Sequence, residues 1–491
     1  MMDLAEQIRS ILELINQNNV DDAFECLATA LADRPDDPEL HALLGKLVLK
    51  TGALEGCLVS PVLTIQDTEN RKGNSCSPPL ASSPISRQEP RTVSGFPPHE
   101  IVIERAELLD LVIQVCERFP RDYDTRHQEL LSILKGHRES GESGLAAFSK
   151  KWNSLAQDVM TRPFLFGLLF PDICNEDPEA IRALRLLGNQ PYLPTGRMSP
   201  PHVPSLGPVE ELVTNLLVGD PAAGAPFEFL SRYYFFKDLL VACFVDEGLR
   251  EIQYAVFYQC YLQRQNWRAS YASDYPYQGM SRIGISGAKP SEERLHRYGI
   301  GSYLKHTDVV LDIGSNNGFL ALSMAALVRE IHGIEFNPYL VNISQTTSRF
   351  LGIHNARFNL GDFVEFTSAS KYDVILSLAN HCTIDGNLSI DFELYIAKIY
   401  SLLCPEGILL FESHNVFGPG AGTPGDDGDL NLKFDIVERY FEIISTTMTR
   451  TYVPAFDIDK LFVAMRKRPH YTASAARTFH LSEVITRYAN S

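Results

Sequence analysis

Short apolar runs alternate with helical patterns in the last third of the chain, and this alternation constrains the fold more than any other feature. Between residues 302 and 470, apolar and often β-branched runs of strand length are separated by stretches with helical periodicity. Strands that follow one another in this way are usually parallel and are joined by helices that cover the sheet. Residues 302–470 are therefore predicted to form an α/β domain.

The first strand of this series leads into a turn that contains two glycines. The strand run ends at Asp312, the turn Gly314-Ser315-Asn316-Asn317-Gly318 follows, and a helical pattern then extends from Phe319 to Glu330. A glycine-bearing turn between a strand and a helix lets backbone N–H groups approach a ligand at the helix N-terminus. The same spacing also occurs in plain strand-to-helix turns, so the prediction of a ligand-binding loop depends on the strands that follow.

The next two strands are each followed by an acidic residue. The second run ends at Glu335, 23 residues beyond Asp312, and an acidic residue at about this distance holds ribose hydroxyls in nucleotide-binding α/β folds. The third run, 356–360, leads into Gly361, Asp362 and Phe363, which place an acidic and an aromatic side chain where an adenine ring would fit. Together these residues indicate a nucleotide-type cofactor.

Four further runs complete the predicted sheet. The fourth strand covers residues 372–378, and the fifth covers residues 407–411 and ends at Glu412. Two later runs, 442–449 and 460–466, are expected to form a closing antiparallel pair.

In this order, the motifs of residues 302–467 resemble the class I S-adenosylmethionine-dependent methyltransferases. The resemblance implies a Rossmann-like domain with a seven-stranded sheet and S-adenosylmethionine as the cofactor. It also implies that the cofactor contacts residues at the ends of the first three strands, namely Asp312, Gly314, Asn316, Gly318, Glu335, Asp362 and Phe363.

The resemblance also assigns a role to each part of this set. The turn that begins at Gly314 passes under the methionine side of the cofactor, Glu335 binds both ribose hydroxyls, and Asp362 meets the adenine amine beside Phe363. Asn316 stands where the family usually has glycine, and asparagine tolerates a positive φ better than most residues. A dehydrogenase is the competing α/β interpretation, but the turn after the first strand, Gly314-Ser315-Asn316-Asn317-Gly318, does not have the G-x-G-x-x-G pattern of that class. An inactive domain with the same fold is the other alternative.

A short helix is expected just before the first strand, in the segment that begins Lys289-Pro290-Ser291. In relatives, a comparable helix lies over the cofactor, so Arg294 is a candidate to pair with the methionine carboxylate, because a guanidinium binds a carboxylate in bidentate fashion. An exposed helix with a surface arginine is the alternative interpretation.

Two histidines are candidates for a catalytic base. Methyl transfer requires alignment of acceptor, methyl and sulfur, and removal of a proton if the acceptor is a hydroxyl or a protonated amine. His381 follows the fourth strand and His414 follows the fifth, so both lie where the acceptor is expected. Either one also fits a structural role. Their spacing with Glu412 matches no recognised metal-ligand pattern, so no metal is predicted.

The rest of the chain is predicted to be mostly helical. Residues 1–65 resemble a tetratricopeptide repeat through Ala23, Leu27, Ala30 and Pro35, although any amphipathic helical hairpin fits as well. Residues 66–100 are predicted to be a linker, since six Ser and six Pro fall between Ser75 and Pro98. We expect a helical domain over residues 101–270, a segment over residues 271–301 that covers cofactor or substrate, and a tail over residues 471–491. The aromatic residues of 227–261 are expected to be core.

Composition limits the possible substrates and locations. The formal net charge of −17 disfavours a general grip on nucleic acid, and no run is long and apolar enough to cross a membrane. The nine cysteines are scattered without a C-x-x-C pair, which is typical of reduced thiols in a cytoplasmic protein. We therefore expect a cytoplasmic methyltransferase that acts on a hydroxyl or amine of a polar small molecule. The alternatives are a protein methyltransferase whose N-terminal helices dock the substrate, and a non-catalytic interaction protein with a vestigial cofactor fold.

Overall fold

The computed structural model describes the chain in several stretches, which are residues 4–16, 23, 26–27, 29–30, 40, 104–118, 123–170, 208–219, 226–267, 275–381, 391–417, 429–450, 459–473 and 477–490. The chain divides into two compact units, one of residues 1–102 with 198–206 and one of residues 103–197 with 207–491. The predicted linker at residues 66–100 lies outside the described residues, as does Pro35 of the predicted repeat.

The described part of the first unit is a small helical core. Helix α1 is Leu4–Asn16, and its Ile11 is buried together with Ala23, Leu27 and Ala30. The small side chains of Ala23 and Ala30 occupy this core. The tetratricopeptide repeat itself stays a prediction.

The second unit begins with a helical half. Its helices are α2 (Arg105–Glu117), α3 (Thr125–Glu139), α4 (Gly141–Thr161), α5 (Pro163–Leu169), α6 (Pro208–Val218), α7 (Pro226–Leu240, continued by a π-helical turn at Val241–Val245) and α8 (Arg250–Asn266). The tyrosines and phenylalanines at positions 233–236 on α7 are fully buried, so the prediction that these rings are core is confirmed. No helix in the described stretches is long and apolar enough to cross a membrane.

The described residues of the same unit then form a two-stranded pair and a seven-stranded sheet. The strands are β1 (Gln278–Gly279), β2 (Lys289–Pro290), β3 (Val309–Ile313), β4 (Glu330–Glu335), β5 (Ala356–Leu360), β6 (Tyr372–Leu378), β7 (Leu403–Phe417), β8 (Phe441–Arg450) and β9 (Asp459–Lys467). β1 and β2 form a separate parallel pair, and the other seven strands have the order β5-β4-β3-β6-β7-β9-β8. β9 is antiparallel to both of its neighbours, which confirms the predicted closing pair.

Six further helices complete this half. They are α9 (Ser291–Arg297), α10 (Phe319–Met324), α11 (Pro338–Phe350), α12 (Phe392–Leu402), α13 (Leu430–Tyr440) and α14 (Leu481–Ala489). The helix predicted from Phe319 to Glu330 is wrong at its end, since α10 stops at Met324 and a 3₁₀ turn covers Ala325–Leu327. The reason is that Glu330 already pairs with Val309 as the first residue of β4, so the chain has to reverse before it.

The strand order locates the crevice of this domain. The order reverses between β3 and β6, which are adjacent although β4 and β5 lie between them in the sequence. In open α/β sheets, ligands bind outside the carboxyl ends of the strands at such a switch point. The residues that follow β3, β4, β6 and β7 are therefore the ones that form a site.

Candidate active site

Asn380 ties together the two strands at the switch point. Its side-chain amide donates to the backbone carbonyl of Ile313 at the end of β3. Its oxygen accepts hydrogen bonds from Ser377 Oγ at 2.8 Å and from the Tyr395 hydroxyl at 3.0 Å. These bonds hold the carboxyl ends of β3 and β6 in a defined position.

The turn after β3 has the backbone that the sequence suggested. Gly314, Asn316 and Gly318 all have positive φ, at 62°, 55° and 73°. A Cβ atom on Gly318 would lie 2.4 Å from Cβ of Ser344, so only glycine allows α10 to start so close to α11. Asparagine at position 316 adopts the left-handed conformation, as expected for this residue type.

Glu335 is anchored by the backbone at the end of β4. Its Oε2 accepts from the N–H of Asn316 at 2.9 Å, and its Oε1 accepts from the N–H groups of Phe336 and Asn337 at 3.0 Å each. The structure thus brings Glu335 against the glycine turn. Three N–H groups fix the direction of its carboxylate.

Gln278, which sequence reasoning missed, holds the same turn from the other side. Its Nε2 donates to the carbonyl of Ser315 at 3.1 Å, and its Oε1 accepts from the N–H of Leu320 at 2.9 Å, within the first turn of α10. Its own carbonyl accepts from Asn317 Nδ2 at 3.0 Å. A single glutamine in a polar segment carries no sequence signal that points to this role.

Asp362 and Phe363 follow β5, near the same edge of the sheet. Asp362 accepts a hydrogen bond from the N–H of Val364 at 2.8 Å, which fixes the local turn. Phe363 is buried, with its ring 5.4 Å from that of Tyr395 and 5.0 Å from the ammonium of Lys398.

Asp312, the acidic residue of β3, is buried. Burial raises the pKa of its carboxyl group to about 7, against the lowering effect of Arg294, and the charge of Glu335 raises it further. Its Oδ2 accepts no hydrogen bond from any residue that the structure describes. The side chain is therefore an unsatisfied acceptor inside the site.

Glu412 lies within β7, opposite Leu378 at the end of β6, and forms ion pairs with two buried cations. Its Oε1 lies 2.5 Å from Nζ of Lys289, and its Oε2 lies 2.6 Å from Nη2 of Arg294. The predicted position of Arg294 in a helix before β3 is confirmed, and the alternative of a surface arginine is wrong because only 2% of the residue is exposed. The Nε atom of Arg294 is buried and has no partner among the described residues.

Burial and neighbouring charges shift the pKa values of the residues in this cluster. Burial alone would raise the pKa of Glu412, but the charges of Arg294 and Lys289 lower it overall. Burial lowers the pKa of Lys289 to about 8, although the neighbouring carboxylate opposes this. Burial also lowers the pKa of Lys460 on β9, and Lys289 adds to the effect.

The two candidate bases occupy different positions. His381 lies shortly after β6, beyond Ala379 and Asn380. Its ring lies 4.7 Å from that of Phe392 and 5.0 Å from that of Tyr395, and its Nδ1 lies 3.4 Å from Lys433 Nζ. His414 lies within β7, where the pairing with β9 is irregular between Glu412 and Asn415. Within the described residues, no group of three or more potential ligands is placed to hold a metal ion.

A family model matches part of the sheet domain. Residues 304–449 match a family model described as a methyltransferase domain. No curated protein sequence matches the chain. Similar solved structures include the N-methyltransferase NodS from Bradyrhizobium japonicum WM9, with 15% identity over 36% of this chain and 97% of that one, at a TM-score of 0.30.

Two other similar solved structures are described as SAM-dependent methyltransferases. A SAM-dependent methyltransferase from Thiobacillus denitrificans, in complex with S-adenosyl-L-homocysteine, has 15% identity over 38% of this chain and 94% of that one, at a TM-score of 0.31. A SAM-dependent methyltransferase from Methanosarcina mazei has 16% identity over 34% of this chain and 96% of that one, at a TM-score of 0.28. Likeness at this level carries no argument about substrate or mechanism.

Proposed function

The chain carries an S-adenosylmethionine-dependent methyltransferase domain, and we propose that it transfers the methyl group to a hydroxyl or amine of a polar small molecule. The observation that carries this proposal is the enclosure of the polar groups at the carboxyl ends of β6 and β7. Asn380 and Glu412 are 7% and 1% exposed. An enclosed polar site suits a small polar acceptor better than a polymer.

The residues of the site fit the cofactor. Asp312 Oδ2 and Arg294 Nε are a buried acceptor and a buried donor without described partners, which is what an amino-acid group needs. We assign Arg294 to the methionine carboxylate, the Gly314–Gly318 turn to the methionine side, Glu335 to the ribose hydroxyls, and Asp362 with Phe363 to the adenine. When bound, S-adenosylmethionine supplies an electrophilic methyl group on a sulfonium.

The chain's own contribution is alignment and removal of a proton. Asn380 fixes the ends of β3 and β6, so groups that follow these strands are held in a constant relation. His381 comes next in the sequence, and its neutral imidazole would accept the proton from a hydroxyl or an ammonium group. The sequence Ala379-Asn380-His381 lacks the Asn/Asp-Pro-Pro-aromatic arrangement of relatives that act on DNA bases or glutamine.

Replacement of His381 tests this role. His381→Ala should lower turnover by ~10²–10⁴ and leave cofactor affinity nearly unchanged, because general-base catalysis has about that value. Turnover of the wild-type enzyme should rise with pH as the neutral imidazole becomes available. His414→Ala is the matched control, and a larger loss there would move the role to β7. Wild-type turnover and pH profile in both variants would contradict a histidine base.

A protein substrate is the second candidate. It is favoured by the small helical core in the described part of residues 1–102, which offers a place for docking. We propose a cytoplasmic enzyme without a nucleic-acid partner in either case. Incubation of a cell extract with methyl-labelled cofactor separates the candidates, since the label enters acid-soluble compounds in the first case and acid-precipitated protein in the second.

A further inference from the structure

Positive charge exceeds negative charge in the buried cluster around Glu412. Lys289, Arg294 and Lys460 are each at most 5% exposed, and Glu412 is 1% exposed. The two oxygens of Glu412 are taken by Lys289 and Arg294. Among the described residues, Nζ of Lys460 has neither an ion pair nor a hydrogen bond. Burial lowers the pKa of Lys460, and the charge of Glu412 opposes this shift.

The other acidic groups nearby do not remove this excess. Glu293 is paired with Arg297, with 2.7 Å between Oε1 and Nε. Asp312 holds its proton up to about pH 7, since burial raises its pKa to that value, and even when ionised it leaves more cations than anions in the cluster. Tyr277, which also faces Lys460, keeps its proton because burial raises its pKa.

The cofactor does not remove the excess either. S-adenosylmethionine has a sulfonium and an ammonium group against a single carboxylate, so it adds one positive charge to the site. Buried charges in proteins are paired or hydrogen-bonded, because an isolated one costs much free energy. Since no described residue pairs with Lys460, an anionic group of the other substrate is the expected partner.

Lys460 lies near the carboxyl end of β7, on the side of the sheet where the methyl acceptor is expected. It pairs with Asn415 across the sheet, beyond Glu412 in the direction of the carboxyl end of β7. The cofactor loop lies after β3, so the cluster extends from Arg294 beside the cofactor to Lys460 beside the acceptor. A charged group of the acceptor at Lys460 would thus hold its reactive atom near the ends of β6 and β7.

We propose that Lys460, supported by Lys289, binds an oxyanion of the methyl acceptor, so that the substrate is a small molecule with a carboxylate or phosphate group. This inference rests on the proposed function and narrows its substrate class. The distribution of charge over the protein also favours a small anion over a large polyanion. The whole chain carries a net charge of −17, which repels large polyanions, whereas the field of buried cations acts at short range.

Binding of simple anions to the full-length protein tests the proposal. Calorimetric titration with inorganic phosphate, and separately with succinate, is expected to show binding to the wild type with and without saturating S-adenosylmethionine. Lys460→Met should weaken this binding at least tenfold, and Lys460→Arg should keep it within a few-fold. A response to phosphate alone would indicate a phosphate ester, and a response to succinate alone would indicate a carboxylate.

Lys467→Met is the matched control, since Lys467 lies at the other end of β9 and donates to the carbonyl of Leu403. It should bind both anions like the wild type. The proposal is overturned if the wild type binds neither anion, or if Lys460→Met binds as the wild type does. It is also overturned if Lys460→Met unfolds more easily than Lys467→Met, because removal of an uncompensated buried charge should not destabilise the protein.

The cofactor titration keeps the two proposals separate. If S-adenosylmethionine binds and the anions do not, only the oxyanion subsite fails. If the anions bind at Lys460 and S-adenosylmethionine does not, the proposed function fails while the anion site stands.

Discussion

The ion pairs of Glu412 provide a quantitative test of the site. The Glu412→Gln substitution keeps the shape of the side chain and one acceptor oxygen but removes the negative charge shared by Lys289 and Arg294. Both cations lie within 2.6 Å of the carboxylate, and their side chains are at most 5% exposed. Loss of one partner from a buried ion pair costs about 3–5 kcal/mol, because the remaining charge is left uncompensated. We expect a decrease of that size in the free energy of unfolding.

A partly exposed ion pair in the same domain serves as the control. Glu393 Oε1 lies 3.2 Å from Nη1 of Arg439, and the two side chains are 37% and 32% exposed. Exposed pairs contribute at most about 1 kcal/mol, so Glu393→Gln should have a small effect. Urea denaturation of wild type and both variants, followed by circular dichroism, measures the difference.

A double-mutant cycle identifies the cause of the loss. Lys289→Met in the Glu412→Gln background removes one uncompensated cation, so it should restore part of the stability, with a coupling of about 0.5–3 kcal/mol between the two positions. The reasoning is refuted if Glu412→Gln costs no more than Glu393→Gln, or if the two substitutions at the buried pair are simply additive.

Three further predictions concern the cofactor side. Glu335→Ala should weaken S-adenosylmethionine binding by roughly 1.5–3 kcal/mol, the value of hydrogen bonds to a charged group, as measured by calorimetry on a variant shown to be folded. The pKa of Asp312 is about 7 in the folded protein and 3.8 without the fold, so the stability from its protonated form is lost as pH rises through 7. The difference in unfolding free energy between wild type and Asp312→Asn should therefore fall between about pH 4 and pH 7 and then level off. Gly318→Ala should destabilise the protein more than Gly352→Ala, for which about 1–2 kcal/mol is expected, because both have positive φ but only Gly318 would clash with Ser344. Equal urea midpoints for the two alanine variants would contradict this.

Much of the sheet could be predicted from the sequence because its signal is local. β5 and β6 have the predicted bounds, 356–360 and 372–378, since each is a short run limited by polar or turn residues. β7 begins four residues earlier than predicted, at Leu403, where it pairs with Tyr372. This extension of β7 depends on pairing with β6 and not on the apolar run of residues 407–411. The early end of α10 likewise depends on strand pairing, since Glu330 pairs with Val309.

The polar cluster could not be predicted in the same way. Arg294 and Glu412 are 118 residues apart and Lys289 and Glu412 are 123 apart, and no periodicity or spacing connects them. From the sequence, Glu412 was considered only as a possible metal ligand, and Lys460 was part of a strand. Their proximity follows from two facts of topology, the short helix α9 before β3 and the antiparallel position of β9 beside β7.

One segment connects the helical half to the cofactor loop and gives that half a part in the site. Asp238 on α7 accepts a hydrogen bond from the hydroxyl of Tyr275, and at 3.1 Å from the N–H of Ser286, so both ends of residues 275–286 are held by one buried carboxylate. Between them, Gln278 binds the carbonyl of Ser315 and the N–H of Leu320. Because the same short segment contacts α7 and the turn after β3, a change in the packing of α7 would displace the turn. The helical half is therefore part of the structure that positions the cofactor loop.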